Sequence, residues 1–130
     1  MVILITLALN AAHAFSPVYE ELLKSHVLDT GRVNYDELSR QSVDAMLLDL
    51  SKAEIGNGRN EQIAFWINAY NALTLALIAK EYPIESIQEL DGGKVWSKRS
   101  YVVAKRDVTL DHIEHAILRP MKDPRIHAAL

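Results

Sequence analysis

The sequence contains no cysteine. That excludes disulfides, thiolate metal sites and a cysteine nucleophile within these residues. It has no run of lysine and arginine, and its formal net charge is -3. Nothing in it therefore asks for nucleic acid or an anionic membrane surface as partner. Internal repeats, low-complexity tracts and long linkers are also missing. No G-x-S-x-G, P-loop or dinucleotide fingerprint occurs, and Ser97 and Ser100 have no visible triad order. Asp29-x-Gly31 lacks the further acidic ligands of a calcium loop at the required spacing. Neither a cofactor nor a particular partner is specified.

What is present fits one domain with a genuine core. The 130 residues are 49% hydrophobic and 24% charged. At the N-terminus an apolar stretch, Val2 to Leu9, leads to Ala12-His13-Ala14. Small residues at the first and third places of that triplet fit a signal-peptidase site, with cleavage between Ala14 and Phe15. The usual positive residues ahead of the apolar stretch are missing. A membrane anchor or a buried helix is the competing reading, but the stretch is short beside the roughly 20 residues a span needs. The expectation is a periplasmic or secreted protein whose mature part is Phe15 to Leu130, without a transmembrane span once cleaved.

Along the mature chain, Ser16-Pro17 opens a helix through Val18, Leu22 and Leu23 to about His26. Residues 29–32 read as a turn and residues 33–35 as a short extended segment. Asp36 is expected to cap a second helix with an apolar face of Leu38, Val43, Met46, Leu47 and Leu50, ending near Ala53 and breaking near Gln41-Ser42. After Gly56-Asn57-Gly58, Asn60 caps a long helix that Pro83 stops at about Glu81. Residues 84–90 suit a short helix and residues 91–93 a loop. Residues 101–103 and 108–110 flank Lys105-Arg106-Asp107 as a β-hairpin. A final helix starts near Asp111, spends its apolar face on Ile113, Ala116 and Ile117, and ends at Arg119-Pro120. The fold class is α+β, a helix-rich single domain with a central buried helix and a small antiparallel sheet.

Between Ile63 and Ala79 the long helix has no charge on any face, so it is expected at the centre of the core. Asn68 and Asn71 interrupt it and share one side. A buried amide left without a partner costs about 1–3 kcal/mol. These two therefore either tie neighbouring loop backbone to the helix or line a cleft and orient a substrate or catalytic group. Trp66 and Tyr70 have the same two readings, core or ligand platform. His112 and His115 are three apart, not the four of H-E-x-x-H, and have no clear third ligand, so no metal site is expected. His115 and Arg119 instead suit the negative end of the last helix. Arg125 and His127, two apart, would share one face of an extended segment and hold a carboxylate or phosphate, or His127 would act as acid or base.

FWINAYNALTL, YPIESI, VWSKRSYVVAKRDVTLDHIEHAILRP and RIHAAL, together with VLDTGRVNYDEL, resemble the domain of unknown function 547 family over most of the chain after residue 14. The resemblance implies a bacterial cell-envelope or secreted protein, with related domains in plants. Members continue after R-x-H-x-A-L into an Asn-Cys-small-Ser stretch and then Ser-Cys-Pro, so it implies a chain that stops short of a cysteine-bearing portion. Asn68, Tyr70, Asn71, Glu114, His115, Arg119, Arg125 and His127 fall in its characteristic segments and are the candidate cleft residues. Two functions are compatible with them. One is a Cys-His-Asn hydrolase or acyl-transfer enzyme in intact relatives, with a downstream cysteine as nucleophile, His127 or His115 as base and Asn68 or Asn71 as orienting amide. The other is a non-catalytic envelope module that binds a partner protein or glycan.

Overall fold

The computed structural model describes residues 15–130, so the N-terminal apolar stretch lies outside the described residues. Helix α1, Pro17–His26, starts as its sequence dictates. Ser16 is the N-cap and its Oγ accepts the Tyr19 amide at 3.1 Å, while Pro17 occupies the first turn. Its apolar face, Tyr19, Leu22 and Leu23, is buried. A single 3₁₀ turn, Tyr35–Glu37, then leads to α2, Arg40–Ser51. Asp36 does not cap α2, because it sits inside that turn. Ser39 does, accepting the Ser42 amide at 3.1 Å, and no break follows near Gln41-Ser42.

Helix α3, Arg59–Glu81, is the axis of the molecule. Among the described residues it is the one helix long and apolar enough to cross a membrane, but 72% of its apolar window is buried by the rest of the fold. It is a core helix. Ala69, Ala72, Leu73, Leu75 and Ala76 are fully buried. Gly58, not Asn60, holds the cap position, and Asn60 lies in the first turn with its Oδ1 accepting from Arg125 Nη2 at 3.4 Å.

The expected helix over residues 84–90 is reduced to 3₁₀ turns from Ile87, where the Ser86 hydroxyl accepts the Gln88 amide. A short helix that the pattern had not indicated, α4, Val95–Lys98, follows because buried Val95 anchors it to the core. Arg99 clamps this region with Nε to Asp91 and Nη1 to Glu81, both at 2.7 Å. Strands β1, Ser100–Val103, and β2, Arg106–Thr109, pair antiparallel with Tyr101 opposite Val108. The hairpin turns at Ala104-Lys105, one residue earlier than the charged triplet suggested, so Arg106 and Asp107 lie in β2. The reason is tertiary. The turn's amides donate to the last carbonyls of α2, Ala104 to Leu50 and Lys105 to Ser51, each at 2.9 Å. That docking holds both turn residues at positive φ, +51° and +64°.

Leu110–His112 forms one helical turn, α5, that continues as a π-helix over Ile113–Leu118 and a 3₁₀ turn over Arg119–Met121. Arg125–Ala129 is a last short helix, α6, where the sequence suggested a loop leading into a new element. Ile126 and Ala129 face the core and hold it there. The result is a helix-rich α+β domain with, among the described residues, one two-stranded sheet.

Tyr19 is fully buried, and its hydroxyl has no hydrogen-bond partner among the described residues. Burial pushes that phenol far above its ordinary ionisation range. Removing an unsatisfied buried hydroxyl while keeping the ring recovers desolvation free energy. Tyr19→Phe is therefore expected to stabilise the fold by about 1 kcal/mol in urea unfolding. A loss of 1 kcal/mol or so would mean that the hydroxyl has a partner.

Candidate functional site

The polar side chains of interest converge where α3, the π segment and α6 meet. A π-helix bonds each amide to the carbonyl five residues back, so residues five apart lie above one another. Glu114 and Arg119 are such a pair. The Arg119 amide donates to the Glu114 carbonyl, and its guanidinium donates to Glu114 Oε1 through Nε, at 3.1 Å, and through Nη2. In a regular α-helix these two side chains would point well apart. The π segment thus creates the pairing.

Glu114 also meets α3. The Tyr70 phenol lies in the electrostatic field of the Glu114 carboxylate, with the Trp96 indole beside it. Burial, followed by the Glu114 charge, pushes Tyr70 up to about 12, so it is a neutral donor at neutral pH. On the other side, Arg119 Nη1 lies 3.0 Å from His127 Nδ1. Arginine has no acceptor, so Arg119 donates, Nδ1 accepts, and the imidazole proton sits on Nε2. Glu114, Arg119 and His127 form one continuous row of polar contacts, with Tyr70 close enough to feel the Glu114 charge.

Beyond His127 opens a cleft of about 390 Å³, lined by Arg119, Lys122, Asp123, Pro124, Ile126 and His127. Its one carboxylate is already engaged. Asp123 accepts from the Arg125 amide and Nε, both at 2.9 Å, and pairs with Arg59 at 3.5 Å. Hydrogen bonds from Arg125 come first among the causes that hold this carboxyl well below the usual carboxylate range. As pH falls, the stabilisation from these bonds is lost only below the ordinary carboxylate pKa of about 4, on the way to the lower folded value.

The other candidates are distributed differently. Arg125 and His127 do not share a face, since two residues of helix separate them by about 200°. Arg125 turns to Asp123 and Asn60. His115 is largely exposed and pairs with Asp111 at 3.2 Å, apart from the row that holds His127. Asn71 is buried, and its Nδ2 donates to the Ala129 carbonyl at 3.4 Å, tying α6 to the central helix. Asn68 is buried and engaged within the fold. The structure therefore gathers Tyr70, Glu114, Arg119 and His127, places Asn71 beneath the same helix α6, and leaves His115 and Arg125 outside the row. Among the described residues, no group of three or more His, Cys, Asp or Glu side chains is placed to hold a metal ion.

Trp96, Arg59 and Asp123 belong to this region and were not singled out from sequence. Asp123-Pro124 is a turn dipeptide whose side chain bonds the backbone two residues on, so its local geometry was readable. The Arg59 and Trp96 contacts are long-range and leave no local pattern.

Fold and site together define a helix-rich α+β domain with a donor-rich cleft beside its central helix. A family model described as "Protein of unknown function, DUF547" matches residues 56–130, and the chain belongs to that family. Comparison with curated proteins and with solved structures gave no match.

Proposed function

We propose that this chain is an exported envelope domain that binds carboxylate-bearing ligands in the cleft of Arg119, Lys122 and His127. The observation that carries the reading is the Arg119–His127 contact. It fixes His127 with its N–H at Nε2, a donor. Arg119 has five N–H groups and spends three on Glu114 and His127. Lys122 adds an ammonium to the lining, and Asp123 is neutralised by Arg125 and Arg59. The polar capacity left over is that of donors, which suits a carboxylate. A general-base role for His127 would need a free lone pair, and Arg119 occupies it.

Titration with tri-glutamate, followed by backbone and side-chain NMR, tests this. Saturable shifts centred on Arg119, Lys122 and His127, and none with tri-glutamine, are expected. Equal responses to both peptides would overturn it.

Export rests on the N-terminal pattern and on one packing feature. The Phe15 ring contacts Tyr19 and Phe65, with centroids 5.6 and 5.2 Å apart, and Ser16 caps α1. Cleavage between Ala14 and Phe15 leaves all these contacts intact. N-terminal sequencing of the chain from the producing cell's envelope or medium is expected to read Phe15-Ser16-Pro17. A chain kept inside the cell with Met1 to Ala14 attached would refute export.

A further inference from the structure

A second cavity lies at the opposite end of α3, which at 23 residues is roughly 35 Å long. Its volume is about 410 Å³, within the usual range for small-ligand sites. One wall is aromatic. The Tyr35 and Tyr82 rings stack with centroids 5.6 Å apart and planes at 25°, and Tyr82 is 41% exposed. Asp36 lines the same cavity, and its charge raises the Tyr82 phenol above its ordinary ionisation range. The rim carries charge. Arg40 and Lys80 line the cavity with Asp36. Arg40 has no ion-pair partner among the described residues. Lys80 has only an exposed pair with Asp44 at 3.4 Å, which is weak and exchangeable.

An exposed aromatic plate beside hydrogen-bonding groups of both signs suits a flat ligand with an apolar face and a polar edge. A pyranose ring is such a ligand. Its C–H face lies on the electron-rich face of a tyrosine, and its hydroxyls need acceptors and donors at the edge. Two cations with spare capacity add a preference for a ring that carries a carboxylate. We infer that the Tyr35–Tyr82 cavity is a saccharide site selective for acidic sugar rings of the uronate type. It uses none of the side chains of the Arg119 cleft, so it stands or falls separately.

The test is an NMR titration of the whole chain with tetragalacturonate and with its neutral methyl ester. The expected result is saturable shifts at Tyr35, Arg40 and Tyr82 with the acid and markedly weaker ones with the ester. Tyr82→Ala is expected to weaken binding at least about tenfold, and Arg40→Gln to weaken the acid about tenfold with little effect on the ester. Arg40 is exposed, so its variant reports on binding even if Tyr82→Ala disturbs the fold. No shifts at these residues with either sugar would overturn the site. Equal affinity for acid and ester, or an unaffected Arg40→Gln, would overturn its selectivity. Shifts confined to residues 119–127 would report on the other cleft and overturn this one.

Discussion

Replacing Arg119 with alanine is expected to weaken carboxylate binding about 10- to 100-fold, because a charge-assisted contact contributes roughly 1.5–3 kcal/mol. The loss has two sources. The guanidinium itself faces the cleft, and it also orders the cleft's second donor. Without Arg119, His127 Nδ1 is no longer held as an acceptor, and the ring is free to turn and to change tautomer. Glu114 loses its guanidinium partner. The fold should feel little of this. Arg119 is 38% and Glu114 19% exposed in the side chain, and pairs near the surface stabilise by about 0–1 kcal/mol. Arg119→Lys should restore part of the affinity at most, since a single ammonium cannot bond Glu114 and His127 from two edges. Tri-glutamate titrations of both variants, alongside their melting curves, check this. Wild-type affinity in Arg119→Ala would remove Arg119 from the site. A collapse in melting temperature would make it a structural clamp instead.

The second large effect concerns the central helix. Leu73 is fully buried in the middle of α3, so Leu73→Ala is expected to cost about 2–5 kcal/mol, lowering the melting temperature by roughly 10 °C. Asn71→Ala leaves the Ala129 carbonyl without its donor and should cost less, about 1–3 kcal/mol, through loosening of α6. Urea unfolding of the two variants distinguishes a packing loss from a tie loss. Hydrogen exchange should show the Asn71 effect concentrated in residues 125–129. A Leu73→Ala cost below about 1 kcal/mol would contradict a core organised on α3.

These variants also mark how far the sequence was legible. The central helix could be read because a stretch without charge from Ile63 to Ala79 admits few other environments, and Pro83 marks its end. Helix α1 could be read because Ser16-Pro17 is a local start signal. The second helix could be read as an element but not at its cap, since Asp36 and Ser39 are both good caps and the 3₁₀ turn consumes the first. The hairpin tip was displaced by a long-range event, the capping of α2 by the turn's amides. Tyr70, Glu114, Arg119 and His127 were readable as candidates. Their pairing was not, because it depends on a π segment, and five-residue spacing looks unfavourable on an α-helical wheel. Arg125 and His127 do not share the face that an extended segment would have given them, because α6, held by Ile126 and Ala129, is helical.

The measurement that tests the account most directly is the tautomer of His127, read from ring nitrogen shifts in a long-range proton–nitrogen NMR spectrum. The account predicts the proton on Nε2, with Nδ1 accepting from Arg119. A proton on Nδ1 would contradict it, because that ring cannot accept the guanidinium hydrogen bond on which the donor cleft is built.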